Sequence, residues 1–188
     1  IIPKKIRIDK PMLMQIVRLG IPSGLQQMIV SFSNVLVMSY VNRFGSAAIA
    51  GFSSANKFDN FLGLPVNSFM LAITTFVGQN MGAKQIERVK KGINTCMFMG
   101  IGIVIAIGIP AYLFSDLCIR MFSQEADVIY YGSWMMRTLV PFYSILNIAQ
   151  VLTGAVRGTG NTTVPMLINV FYYCIIRQVF LAVAMMFV

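Results

Sequence analysis

Histidine is absent from this chain of 188 residues. That excludes His-based acid–base catalysis and His ligation of metals. Acidic residues are scarce, six against fifteen Lys and Arg. They form no carboxylate dyad, and no nucleophile–base pair accompanies them. Cysteine occurs three times, at Cys96, Cys118 and Cys174. An odd count without a spacing pattern gives neither a disulfide framework nor a metal site. The segment Gly158-Thr-Gly160 superficially suggests a phosphate loop. It lacks the preceding strand and the Lys-Ser/Thr ending, so it reads as a tight turn. The sequence therefore implies no catalytic residues, no enzyme and no bound cofactor.

Charge is also scarce, at 11% of residues against 57% apolar. A soluble domain averages about 25% charged residues. What fills the chain is five long apolar segments, roughly 19–40, 47–77, 93–114, 128–153 and 164–188. Each is long enough for the hydrocarbon core, which takes about 20 helical residues. Spanning helices satisfy their own backbone hydrogen bonds, so lipid is the environment that suits such runs. The expectation is an all-α, multi-pass membrane protein of five spans, with membrane lipid as one partner.

The net charge of +9 could suggest nucleic acid, but its placement argues for membrane topology. Lys4, Lys5, Arg7, Lys10 and Arg18 precede the first span. Lys84, Arg88, Lys90 and Lys91 follow the second, and Arg157 follows the fourth. The opposite loops hold Arg43 and the set Asp116, Arg120, Glu125 and Asp127. Positive-inside bias then puts the N-terminus and the loops 78–91 and 154–163 in the cytoplasm, across a plasma (inner) membrane. Residues 1–10 are too polar for a signal-peptide core. Residues 1–18 read as a cytoplasmic interfacial linker, with Ile6, Met12, Leu13 and Ile16 resting on headgroups. Residues 19–188 read as the transmembrane bundle.

Prolines punctuate the spans. Pro22 is placed in the first turn of the first helix, Pro65 and Pro141 should kink the second and fourth, and Pro165 opens the fifth with Thr162 or Thr163 as N-cap. Polar residues recur at helical spacing. Ser23, Gln27, Ser31 and Asn34 share a stripe on the first helix. Ser53, Asn56, Lys57, Asn60 and Asn67 do so on the second, Tyr143, Asn147, Gln150 and Gly154 on the fourth, and Asn169, Tyr173 and Arg177 on the fifth. The third helix has no such stripe and is expected at the periphery. Such stripes either glue helices together or line a wet cavity. Four of them favour the cavity.

Lys57, Asp59, Arg137 and Arg177 fall within the expected spans. A cation at the bilayer centre costs at least ~2.5–3.5 kcal/mol on insertion scales, so these side chains must face protein or water. Lys57 and Asp59 are two residues apart, on nearly opposite sides of a straight helix. Asp59 is the one carboxylate in any span. It can carry a proton or bind a cation, or it can be the structural partner of a buried Arg or Lys.

Three motifs then resemble one family. They are Gly20-Ile-Pro-Ser-Gly-Leu-Gln-Gln27, Val77-Gly-Gln-Asn-Met-Gly-Ala83 followed by Glu87-Arg88, and Leu152-Thr-Gly-Ala-Val-Arg-Gly-Thr-Gly-Asn-Thr-Thr-Val-Pro165. Their identity and order resemble the multidrug and toxic compound extrusion (MATE) family of cation-coupled antiporters. The resemblance covers essentially the whole chain. It implies a two-lobe protein of twelve helices, of which this chain is similar to helices seven to eleven, with the first lobe as its missing partner. The NorM-like branch has an acid in its seventh helix, where this chain reads Met28-Ile-Val-Ser-Phe-Ser-Asn34. The chain therefore looks closer to the DinF-like branch, whose key acid lies in the first lobe. Lys57-Phe58-Asp59 stands where the family has an Arg-x-Glu-like segment.

The resemblance implies secondary active efflux of amphipathic or cationic organic compounds in exchange for H⁺ or Na⁺. The expected pathway residues are Gln27, Ser31, Asn34, Asn56, Lys57, Asp59, Asn60, Asn147, Gln150, Asn169, Tyr173 and Arg177. Arg157, Gly158, Gly160 and Pro165 are expected to form a structural turn. Two rival readings remain: a flippase or membrane-embedded transferase for lipid-linked substrates, and a non-transporting structural subunit.

Overall fold

Asp9 starts the first helix. Its Oδ1 accepts from the Met12 N–H at 3.2 Å and its carbonyl from the Leu13 N–H at 2.9 Å. An acidic N-cap with Pro11 in the first turn is a favourable helix start. The computed structural model describes residues 9–184. The helices are α1 (Lys10–Val41), α2 (Ser46–Gly82), α3 (Ile86–Leu113), α4 (Ser115–Arg120), α5 (Ala126–Leu139), α6 (Tyr143–Gly158), α7 (Thr163–Phe171) and α8 (Arg177–Ala184). Val140–Phe142 joins α5 to α6 as a 3₁₀ turn, and Tyr172–Ile176 joins α7 to α8 as a π-helical turn. No strand occurs among the described residues.

Four helical runs are long and apolar enough to cross a membrane: Ser46–Gly82, Ile86–Leu113, Ala126–Gly158 and Thr163–Val183. The first expected span, in α1, has the length but not the apolar density of these four. Its Gln26, Gln27, Ser31, Ser33 and Asn34 dilute it. The expected linker boundary at residue 18 falls inside α1, which runs unbroken from Lys10. Residues 1–8 of that linker lie outside the described residues. Pro22 consequently sits well inside a helix instead of in its first turn.

The described chain divides into two compact units, one of residues 35–159 and one of residues 9–34 with 160–184. In the first unit α2 is the central element. Ala55, Leu62 and Val66 of α2 pack with Val104 and Ala111 of α3, Ile119 of α4, Met136, Val140 and Tyr143. A second cluster joins Ile73 and Val77 of α2 to Val89 of α3 and to Val151 and Ala155 of α6.

The third helix packs on one face only. It buries Val89, Gly100, Val104, Gly108 and Ala111. These small residues give α3 a flat face that admits its neighbours closely, the device by which membrane helices gain packing. Its opposite face exposes Phe98, Ile105, Ile109 and Leu113, which suits lipid. The crossing of α6 over α2 is closer still. A Cβ on Gly154 would lie 2.5 Å from the Met70 carbonyl oxygen, and one on Gly158 2.6 Å from that of Thr74. Thr74 Oγ1 bonds the Gly154 carbonyl at 3.0 Å across this contact.

Pro65 leaves α2 continuous from Ser46 to Gly82. Pro141 does interrupt its span, since a ring nitrogen cannot donate to the preceding turn. The interruption is the 3₁₀ turn between α5 and α6. In the second unit, α7 begins at Thr163, but Thr162 gives no side-chain cap. Asn161 Oδ1 accepts the Val164 N–H at 3.2 Å in its place.

Candidate functional site

Two polar clusters form on the long helices, one in each unit. In the unit of residues 35–159, the hydroxyl of Tyr143 donates to Asp59 Oδ1. Tyr143 is buried at the start of α6, where the break at Pro141 resets the helix. Asp59 lies four residues before Gly63 on α2 and is half-buried. No described basic group lies within ion-pair distance of Asp59. Among the described residues its partner is therefore a neutral one. Lys57 is exposed, with its Nζ 5.2 Å from the Phe122 ring centroid, a cation–π arrangement.

Asn147 is one turn beyond Tyr143 and wholly buried. Its Nδ2 donates to the Met97 carbonyl at 3.3 Å, and its amide fills the space that Gly100 leaves on α3. Asn147 Oδ1 has no partner among the described residues. This residue joins α6 to α3 and presents no surface to a substrate. Gln150 and Asn56 are half-buried and Asn60 is exposed.

In the other unit, the π-helical turn organises the cluster. A π turn shifts the backbone register and frees carbonyl groups, and such turns occur often at functional sites. The Tyr173 carbonyl accepts from Ser33 Oγ at 3.2 Å and from Gln178 Nε2 at 3.3 Å. Ser33 Oγ in turn accepts from Gln178 Nε2 at 2.9 Å and Arg177 Nη1 at 3.3 Å. Arg177 Nη1 also donates to Asn34 Oδ1 at 2.8 Å, and the guanidinium lies 5.4 Å from the Tyr173 ring centroid. Gln27 and Ser31 continue along α1 as exposed residues. Asn169 bonds back to the Pro165 carbonyl at 2.8 Å and is tied to its own helix.

The sequence pattern placed Asn34, Tyr173 and Arg177 on polar stripes, and the structure brings those three together. Ser33 and Gln178 escaped because each sits one position off its stripe. Arg137 lies in the last turn of α5. Its Nε donates to Ser115 Oγ at 2.8 Å and its Nη2 pairs with Asp116 at 3.0 Å. The Asp116 carboxyl is held below the usual range by the Ser133 hydroxyl facing it and by the Arg137 guanidinium. A cleft of about 480 Å³ lies here, lined by Asp116, Arg120, Tyr130, Ser133, Trp134 and Arg137. Among the described residues, no group of His, Cys, Asp and Glu is arranged to hold a metal.

The expected structural turn is only partly a turn. Arg157 and Gly158 end α6, and Gly158 is needed for the close approach to Thr74 rather than for a special backbone conformation. Gly160 has φ +88°, a left-handed conformation that favours glycine. Pro165 is buried in the first turn of α7.

A family model described as MatE matches residues 22–183. The chain belongs to the MATE family. A probable multidrug resistance protein of Bacillus subtilis, YoeA, is 27% identical over 88% of this MATE chain and 36% of its own length. A second from that organism, YpnP, is 28% identical over 89% of the chain and 38% of its own length. A probable multidrug resistance protein NorM of Thermotoga maritima is 28% identical over 82% and 33%. The chain thus spans about a third of the length of these relatives. Two of the three motifs meet at a helix contact: Gly78 lies beside the Gly158 carbonyl, where α2 crosses α6.

Proposed function

We propose that this MATE-family chain forms part of one lobe of a secondary active exporter. Its substrates are amphipathic or cationic organic compounds, moved outward in exchange for H⁺ or Na⁺. The names of its relatives, probable multidrug resistance proteins, support the substrate class. The observation that carries the reading is the exposed stripe of Gln27, Ser31 and Asn34 on α1. Polar amides and hydroxyls do not belong against lipid. Their exposure fits a wet cavity completed by the rest of the protein.

The Asp59–Tyr143 pair supports Asp59 as a coupling group. An intramembrane carboxylate without a cationic partner is suited to exchanging a proton or an ion. In the DinF-like arrangement the coupling acid lies outside this chain, and Asp59 then has a supporting role. The protein carrying this chain, purified and reconstituted in vesicles, tests the efflux reading. Dye export driven by an imposed H⁺ or Na⁺ gradient supports it. Transport indifferent to both gradients overturns it.

A further inference from the structure

Arg177 is a cation within the run Thr163–Val183 whose bonds to described residues all go to neutral groups. Nη1 is used twice, by Ser33 Oγ and Asn34 Oδ1. Its other face lies toward the Tyr173 ring. No described carboxylate lies within 4.0 Å of the guanidinium, and its Nε and Nη2 make no hydrogen bond to a described residue. The side chain is only half-buried among the described residues. The Nε–Nη2 edge of a guanidinium presents two parallel N–H groups, the geometry that grips a carboxylate bidentately. Ser33 is buried and locked to the Tyr173 carbonyl and Gln178, so the guanidinium is held in place before any ligand arrives. Exposed Gln27 and Ser31 extend the polar surface along α1.

We infer that Arg177, positioned by Ser33 and Asn34, is a carboxylate-recognition site for organic substrates. The favoured substrates are amphipathic molecules that carry a carboxylate, zwitterions included, over permanent cations of the same shape. An unsatisfied guanidinium repels a cation lacking an acid group and gains a charge-assisted pair with one that has it. This rests on the efflux reading but is tested by binding, which needs no gradient.

The probes are rhodamine B, which bears a free carboxylate, and its ethyl ester, a permanent cation of nearly the same shape. Their affinities are measured by fluorescence anisotropy on the purified full-length protein carrying this chain. The expected result is at least about tenfold tighter binding of rhodamine B than of the ester. Arg177→Gln should weaken rhodamine B about tenfold or more and leave the ester unchanged or bound more tightly. Asn34→Asp keeps the shape at α1 but places an internal carboxylate against Nη1. It should abolish the discrimination while preserving the fold, and it decides the matter if Arg177→Gln fails to fold. Equal affinity for the two dyes in the wild type, discrimination that survives in Asn34→Asp, or no binding of rhodamine B overturns the proposal. Equal losses for both dyes in Arg177→Gln, with a lowered melting temperature, also overturn it, because Arg177 then pairs with an acid elsewhere in the protein. Gradient-independent transport with intact discrimination overturns the efflux reading alone.

Discussion

Tyr143 donates its hydroxyl hydrogen bond to the carboxylate of Asp59, joining α6 to α2 across 84 residues of sequence. The bond sits where the Pro141 break ends and α6 begins. It makes Asp59 a carboxylate with a neutral partner, and this fixes what a substitution there should do.

Asp59→Asn retains an acceptor for the Tyr143 hydroxyl but cannot release a proton or hold a cation by charge. In the full-length protein, gradient-driven efflux per folded molecule should fall about tenfold or more, with the melting temperature close to that of wild type. Ser53→Ala should leave efflux within about twofold. Transport and thermal melting are measured on the same preparation. Loss of stability with normal efflux per folded molecule would make Asp59 a structural group, and unchanged efflux would place the coupling acid outside this chain.

Acidification should release the Asp116–Arg137 pair. The Ser133 hydroxyl and the Arg137 guanidinium hold Asp116 below the ordinary carboxyl range. A carboxyl whose folded pKa is depressed stabilises the fold above its unfolded value, about 3.9, and that stability is lost as pH falls through the folded pKa. Both partners are about half exposed, so the pair contributes about 1 kcal/mol or less. Melting of wild type and Asp116→Asn from pH 7 to pH 3 checks the sign. Wild type should be slightly the more stable at neutral pH, and the gap should close on the acid side. A gap that widens on acidification would contradict the assignment.

Apolar runs made the helices legible in the sequence because each must bury its own backbone polarity in lipid. Helix ends were less legible. α1 starts at Lys10 because Asp9 caps it, and α4 forms in a loop too short and polar to stand out. The polar stripes identified the faces of Asn34, Tyr173 and Arg177, since spacing alone fixes a face. Spacing cannot pair residues across helices. The Arg177–Asn34 contact spans 143 residues, and Asn147 packs against Gly100 on α3. The packed face of α3 was not legible either. Glycines look featureless in sequence, yet Gly100 and Gly108 are where Asn147 and Val140 approach α3.

The basic loops predict orientation. Ten of the fifteen Lys and Arg fall in the N-terminal segment and the loops 78–91 and 154–163, which should face the cytoplasm. Single cysteines placed at Lys84 and Gln124, in a protein whose native cysteines are replaced, test this with an impermeant maleimide. From outside intact cells, position 124 should label and position 84 should not. The reverse pattern inverts the topology.

The two glycines that close α6 should fail for different reasons when changed. Gly158 is helical, and a Cβ there would sit 2.6 Å from the Thr74 carbonyl oxygen and 2.7 Å from Val77 Cβ. Those atoms belong to the α2 backbone and to a buried Val, so neither can move aside cheaply. Gly158→Ala should therefore separate α2 from α6 and lower the yield of folded protein. Gly160 has open space around it but a φ of +88°. An L-residue held in the left-handed region costs roughly 1–2 kcal/mol, and a β-branched one more. Gly160→Val should thus lower stability by conformation alone, and Gly160→Asn, which tolerates that region, should recover most of it. Size-exclusion profiles and melting temperatures of the three variants separate a clash from a strained turn. Equal loss in Gly160→Asn and Gly160→Val would show that position 160 fails by contact and not by its backbone. Normal folding of all three with a selective loss of substrate affinity would move this segment from the scaffold into the binding site.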